Sequence, residues 1–396
     1  MRLPSLSVRL HDLVFRLPAT PVLRLPQVAK IRMFRLRGVE EWVLIASIFG
    51  YLAICVAVYF GYVRSWIEGD SIVRIGADSD RYWAAAKAVG ELDSDKLVSL
   101  TGNFLGPVAI AYLFRDGIFV MVFNILLFGL ALKIAASIPN LYKVRFACLM
   151  LLNAELLPSI TTLNKEIIAL FASVLAAKYL TSVRPTKLLL FWMFLFAFLA
   201  RWEQAFVLAL FFLQRLCFRR RPKAAVWLLI AAITLAYPIA FKLLGVSSSL
   251  FDAILANGGL ITSLNQIQEN FGFPLVLAPK ILMNLAGRLA SLGDYISGSF
   301  LANGLDDPQQ QLFQPLGCLA YMIVFAWAFW KGRYRMDRPL ILLATLTLII
   351  TAATPFIQPR YVYGPYTLVC LELCLPRVRR SDGAYLRQPD RLELSK

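Results

Sequence analysis

Two aspartates two positions apart, Asp78 and Asp80, open the polar run Asp78-Ser79-Asp80-Arg81-Tyr82-Trp83 just past the first long apolar stretch. A carboxylate held within hydrogen-bond reach of a hydroxyl can take its proton, so either aspartate is a candidate general base. Arg81 and Tyr82 follow Asp80 directly and favour it as the better oriented of the two. Elsewhere, charge recurs at the edges of apolar runs: Lys165 with Glu166, Arg201 with Glu203, and Arg360 with Tyr361. Lys280 and Arg288 lie eight apart and share one face if their segment is helical. Each of these has a plain structural alternative: a solvated loop, a helix-end ion pair, or a snorkelling arginine beside an interfacial aromatic. Together they mix cations with carboxylates where unpaired charge is expensive. Arginine forks match phosphate oxygens, and fixed cations stabilise a leaving phosphate as its charge develops. Glu166 and Glu203 would orient the cations, while Tyr82, Trp83 and Trp202 offer faces for sugar rings.

Other chemistries find no residues to carry them. The only histidine, His11, sits in a basic N-terminal segment, which excludes a histidine-based triad or a multi-histidine zinc site. The six cysteines lie in or beside apolar runs and none is spaced Cys-x-x-Cys, so they read as small core hydrophobes. No phosphate-binding loop or dinucleotide fingerprint is present, and neither a cofactor nor a metal is expected. A formal net charge of +17 raises the question of nucleic acid, but the cations gather in the termini and in short loops between apolar runs, where membrane topology accounts for them.

What must position these groups is a membrane domain. The chain is 59% hydrophobic over 396 residues, and apolar runs recur near the roughly 20-residue length that crosses a bilayer. Read with the inside bias of lysine and arginine, ten spans emerge at about 42–63, 118–137, 146–163, 167–180, 188–200, 204–218, 224–244, 312–330, 339–357 and 362–375. Residues 1–41 form a basic cytoplasmic segment without a visible cleavable signal, 42–376 the transmembrane domain, and 377–396 a basic cytoplasmic tail. Two long outer loops are expected, 64–117 and 246–312. The first ends in an apolar run, 103–114, that is too short to cross and reads as interfacial or re-entrant. The second is long enough to suggest function. This all-α polytopic topology collects Asp78, Asp80, Lys165, Glu166, Arg201, Glu203, Lys280, Arg288, Arg360 and Tyr361 on the outer face, with the protein multi-pass in the plasma (inner) membrane.

On Asp78-Ser79-Asp80-Arg81-Tyr82-Trp83, Pro158 through Asn164-Lys165-Glu166, Ala200-Arg201-Trp202-Glu203-Gln204 and Pro355 through Gln358-Pro359-Arg360-Tyr361, the chain resembles the GT-C-type integral-membrane glycosyltransferases. Within that range it is similar to the bacterial Wzy- and EpsG-like polysaccharide polymerases. The resemblance implies a polyprenyl-phosphate- or pyrophosphate-linked sugar donor, a saccharide or lipid acceptor, and an active site on the outer face. A flippase or a chain-length protein would be the expected partner. The long loop is modest for a polymerase and no large soluble domain follows, which leaves single-sugar transfer and repeat-unit joining both open. The rival from another class is a transporter or flippase for a lipid-linked or anionic solute; the charges cluster at outer helix ends and no repeat is visible, which disfavours it. A structural subunit without chemistry is a third.

Overall fold

The computed structural model describes residues 37–67, 78–90, 105–217, 221–243, 259–297 and 309–376. Among them every regular element is helical. In chain order these are α1 (Arg37–Val58), running on through a π turn (Tyr59–Val63) and a last turn (Arg64–Ile67), then α2 (Ser79–Gly90), α3 (Leu105–Phe114) and α4 (Gly117–Ala136). Next come α5 (Lys143–Leu151), α6 (Leu156–Thr161), α7 (Glu166–Thr181), α8 (Lys187–Ala200), α9 (Trp202–Cys217) and α10 (Pro222–Leu243). The last group is α11 (Leu260–Phe271), α12 (Phe273–Ala286), α13 (Ser291–Ile296), α14 (Gln314–Trp330), α15 (Pro339–Ala353), a 3-10 turn (Pro359–Val362) and α16 (Tyr363–Cys374).

The stretches 41–63, 117–136, 273–293 and 311–330 are each long and apolar enough to cross a membrane. The peripheral helices also turn large apolar side chains outward, among them Trp42, Phe49, Leu126, Phe191, Trp227 and Trp330. An outward apolar face suits lipid as its solvent, and the protein is a helical membrane protein. The basic arm before residue 37, with His11, and the tail after 376 lie outside the described residues.

α7 and α16 form the centre. Nearly every residue of both is buried, and they pack on each other, with α4 and α8 against α7 and α14 and α15 against α16. A helix that is apolar all round belongs in the interior. Ala169, Ala172, Ser173 and Ala176 keep α7 thin, which lets its neighbours come close. Gly106 does the same between α3 and α8: a Cβ there would sit 2.2 Å from the carbonyl oxygen of Leu199. That approach holds α2, packed on α3, beside the C-terminal end of α8.

Two expectations change. The span read at 146–163 is two helices, α5 and α6, parted by a break that buries Asn153 and Glu155. Much of the loop read at 246–312 is helix: α11 and α12 pack on each other, and α12 lies against α14 and α15. The stretch 273–293 is itself long enough to span. The outer-loop reading came from its glycines, asparagines and serines; two of those asparagines, Asn265 and Asn284, are buried, while Asn270 is exposed.

Candidate functional site

The central helices set up two charged ends. At one, Arg333 and Arg338 pair with Glu372 near the C-terminus of α16, and Lys178 Nζ donates to the Ser137 carbonyl at 2.7 Å. At the other lie the start of α7, the α8–α9 turn, the 3-10 turn before α16, and the residues that open α2.

Arg360 is the hub of this second end. Its side chain is 3% exposed, and Nη2 meets Asp78 Oδ2 at 2.5 Å. Nε donates to Gln358 Oε1 at 2.6 Å and lies 4.0 Å from Glu166 Oε1. Glu166 in turn accepts from Arg201 Nη2 at 3.1 Å. The Arg201 guanidinium stacks 4.0 Å above the Tyr361 ring. The Tyr82 hydroxyl donates to Asp78 Oδ2 at 3.4 Å. Lys165 is 4% exposed yet makes no ion pair within 4 Å among the described residues. Two carboxylates, Asp78 and Glu166, thus face three cations. Glu166 Oε2 and Arg360 Nη1 are buried without a hydrogen bond.

The mutual field sets protonation. Burial alone would raise the Asp78 carboxyl, but the charges of Arg360, Lys165 and Arg81 and the bond from Arg360 outweigh it and hold it below the ordinary aspartate value. Asp78 is therefore ionised at neutral pH. Burial, followed by repulsion from Arg201, brings Lys165 down to about 7, against the opposing pull of Glu166. Burial also works against the Arg360 charge, but Glu166 and Asp78 more than restore it, so its pKa rises further above the usual arginine value.

A cavity of about 300 Å³ opens beside the cluster. Its lining mixes the charged and aromatic groups Glu166, Arg201, Trp202, Glu203, Arg360 and Tyr361 with threonines of α15 and apolar side chains such as Val207, Ile350 and Pro365. This volume is at the small end of ligand pockets, which run to roughly 300–1,000 Å³.

Six sequence candidates meet here in one constellation: Asp78, Lys165, Glu166, Arg201, Arg360 and Tyr361, with Glu203 on the cavity wall. Three do not join it directly. Asp80, the aspartate favoured from the sequence, is exposed, and its Oδ1 accepts from the Arg81 backbone N–H at 2.9 Å. Arg81 is exposed as well and reaches Asp78 only through its field. Arg288 falls beyond the end of α12, half-buried, next to Cys318.

Lys280 has a different task from the one expected. It is fully buried, and Nζ donates to Gln268 Oε1 at 2.5 Å and to the Thr354 carbonyl at 3.2 Å. Asn265 and Gln268 donate to the carbonyls of Pro355 and Ala353, both at 3.0 Å. Asn284 Oδ1 accepts from the Gln358 N–H at 2.9 Å. The polar stripe of α11 and α12 therefore clamps residues 353–358, and Gln358 passes that order on to Arg360. The signal was present in the sequence as Asn265 and Gln268 three apart and Lys280 and Asn284 four apart, helical spacings on apolar segments.

No family model, no curated protein and no solved structure matches this chain.

Proposed function

We propose that the protein is a membrane glycosyltransferase, or a polysaccharide polymerase, using an isoprenoid-phosphate-linked sugar donor at the Arg360 end of the bundle. What carries the reading is one conjunction: an ionised Asp78 tied to the buried Arg360, with the buried Lys165 and the partly buried Arg201 in the same cluster, next to a cavity that Arg201 and Arg360 line together with apolar side chains. Arg201, Arg360 and Lys165 suit the donor phosphate, with one Arg360 N–H still unbonded. The apolar lining residues Val207, Ile350 and Pro365 suit the first isoprene units, and Trp202 and Tyr361 suit the sugar. The acceptor hydroxyl oxygen bonds to the anomeric carbon as the bond from that carbon to the phosphate oxygen breaks. Asp78 takes the hydroxyl proton, and the lipid phosphate leaves with the electron pair onto the cations. On this reading the cluster faces outward and the Glu372 end faces the cytoplasm.

One observation favours the transport alternative: the break between α5 and α6 buries a carboxyl inside the bundle, as interrupted helices do in transporters. The two readings part in proteoliposomes carrying lipid-linked donor and acceptor. Asp78→Asn keeps size and hydrogen bonding but cannot accept the proton. General-base catalysis is worth about 10²–10⁴-fold, so Asp78→Asn should lose that much product with normal insertion, while Asp80→Asn stays near wild type. Solute flux without a new glycosidic bond in the wild-type protein would overturn the enzyme reading.

A further inference from the structure

Below the ion-pair cluster lies a second polar group that the proposed chemistry does not use. Glu155, in the α5–α6 break, is fully buried, and neither carboxyl oxygen has a hydrogen bond. Its surroundings are oxygen-rich. The Asn153 side chain bonds the Glu155 backbone N–H at 3.1 Å and lies beside the Tyr321 hydroxyl. Tyr321 and Tyr363 are fully buried, their hydroxyls lack a well-formed hydrogen bond, and both feel the Glu155 charge. Tyr366 links the two rings, with centroids 5.3 Å from Tyr321 and 6.4 Å from Tyr363.

Space has been made for the carboxyl. A Cβ on Gly317, one turn before Tyr321 on α14, would stand 2.7 Å from Glu155 Cγ and 3.5 Å from Asn153 Oδ1. Glycine at this position is what lets a glutamate side chain occupy the interior. Several unsatisfied polar atoms gathered in one buried place are costly unless a ligand satisfies them. Among the described residues no lysine or arginine bonds Glu155; the charges that act on it, Glu166 and Arg360, belong to the ion-pair cluster and have opposite signs.

We propose that Glu155, Asn153, Tyr321 and Tyr363 form a buried binding site for a monovalent alkali cation, sodium in the first instance. The donors are all hard oxygen, which suits alkali and alkaline-earth ions over transition metals. A single carboxylate balances one positive charge, and no group of three or more His, Cys, Asp or Glu side chains that could hold a multivalent metal occurs among the described residues. Interrupted membrane helices coordinate such ions through side-chain and freed backbone oxygens. The site stands apart from the glycosyl-transfer reading and survives its failure.

The test uses the full chain purified in lipid nanodiscs, with radioactive sodium binding measured in choline chloride at constant ionic strength. Saturable binding is expected, together with a thermal midpoint that rises with sodium and saturates over the same range. Glu155→Gln should abolish both effects, and Tyr321→Phe should weaken binding several-fold. Should Glu155→Gln fail to fold, the wild-type binding curve and the Tyr321→Phe shift still decide. Absence of saturable sodium binding in the wild-type protein overturns the proposal, as does full binding in a folded Glu155→Gln variant. So does a Glu155 carboxylic-acid stretching band that persists in saturating sodium, because the carboxyl would then hold a proton in place of the ion.

Discussion

Lys165 decides how the site responds to pH. Its neighbours on every side are charged, and burial with Arg201 beside it brings the amine down to about 7. Below that pH Lys165 is a cation and draws an anion; above it the amine is neutral and the pull is lost. Asp78 is held low and Arg360 high, so neither titrates near neutrality and the change belongs to Lys165. Affinity for sulfate, an anion that does not titrate in this range, should fall as pH rises through about 7, by calorimetry on the purified protein. Lys165→Arg stays charged and should flatten that profile. A wild-type profile that is flat from acid to alkaline pH removes Lys165 from the anion site. The residue scale also separates the two aspartates: only Asp78 is tied to Arg360, whereas Asp80 bonds its own helix.

At the scale of elements, the clamp made by α11 and α12 explains why a 3-10 turn can hold an arginine so tightly. A turn has little hydrogen bonding of its own, and residues 353–358 borrow theirs from Asn265, Gln268, Lys280 and Asn284. Lys280→Met keeps most of the volume and removes the donor, leaving Gln268 Oε1 and one of the bonds to Thr354 unmade. The expected loss is about 1–3 kcal/mol of stability, seen as a lowered thermal midpoint, with weaker anion binding in step. Were Lys280 a direct ligand instead, anion affinity would fall with the midpoint unchanged.

For the molecule as a whole, the two charged ends give orientation a direct test. Asp80 is exposed at the Arg360 end and Arg335 is 52% exposed at the other. In a cysteine-free background, Asp80→Cys should react with an impermeant thiol reagent added to intact cells, and Arg335→Cys should react only after lysis. The reverse pattern would put the candidate site on the cytoplasmic face, away from an outer-leaflet donor. Position 79 does not serve for this, because Ser79 is completely buried.

The helical class, the position of most helices and the charged short turns were all legible in the sequence. Apolar length and the placement of lysine and arginine are local properties, and a bilayer reads them locally. Lys165, Glu166, Arg201, Arg360 and Tyr361 could be singled out for the same reason, as charge and an aromatic set at the edges of apolar runs. Their partners could not. Arg360 and Asp78 are 282 residues apart in the chain, and only the packing of α2 on α3, of α3 on α8, and of the clamped 3-10 turn at the head of α16 brings them to 2.5 Å. Burial likewise set Asp78, tied to Arg360, apart from the exposed Asp80, bonded Lys280 to Gln268 and the Thr354 carbonyl, and placed Glu155 in a break within what reads as a single span. In each case the deciding quantity was which side chains share an interior volume, a property of tertiary contact that spacing along the chain does not encode.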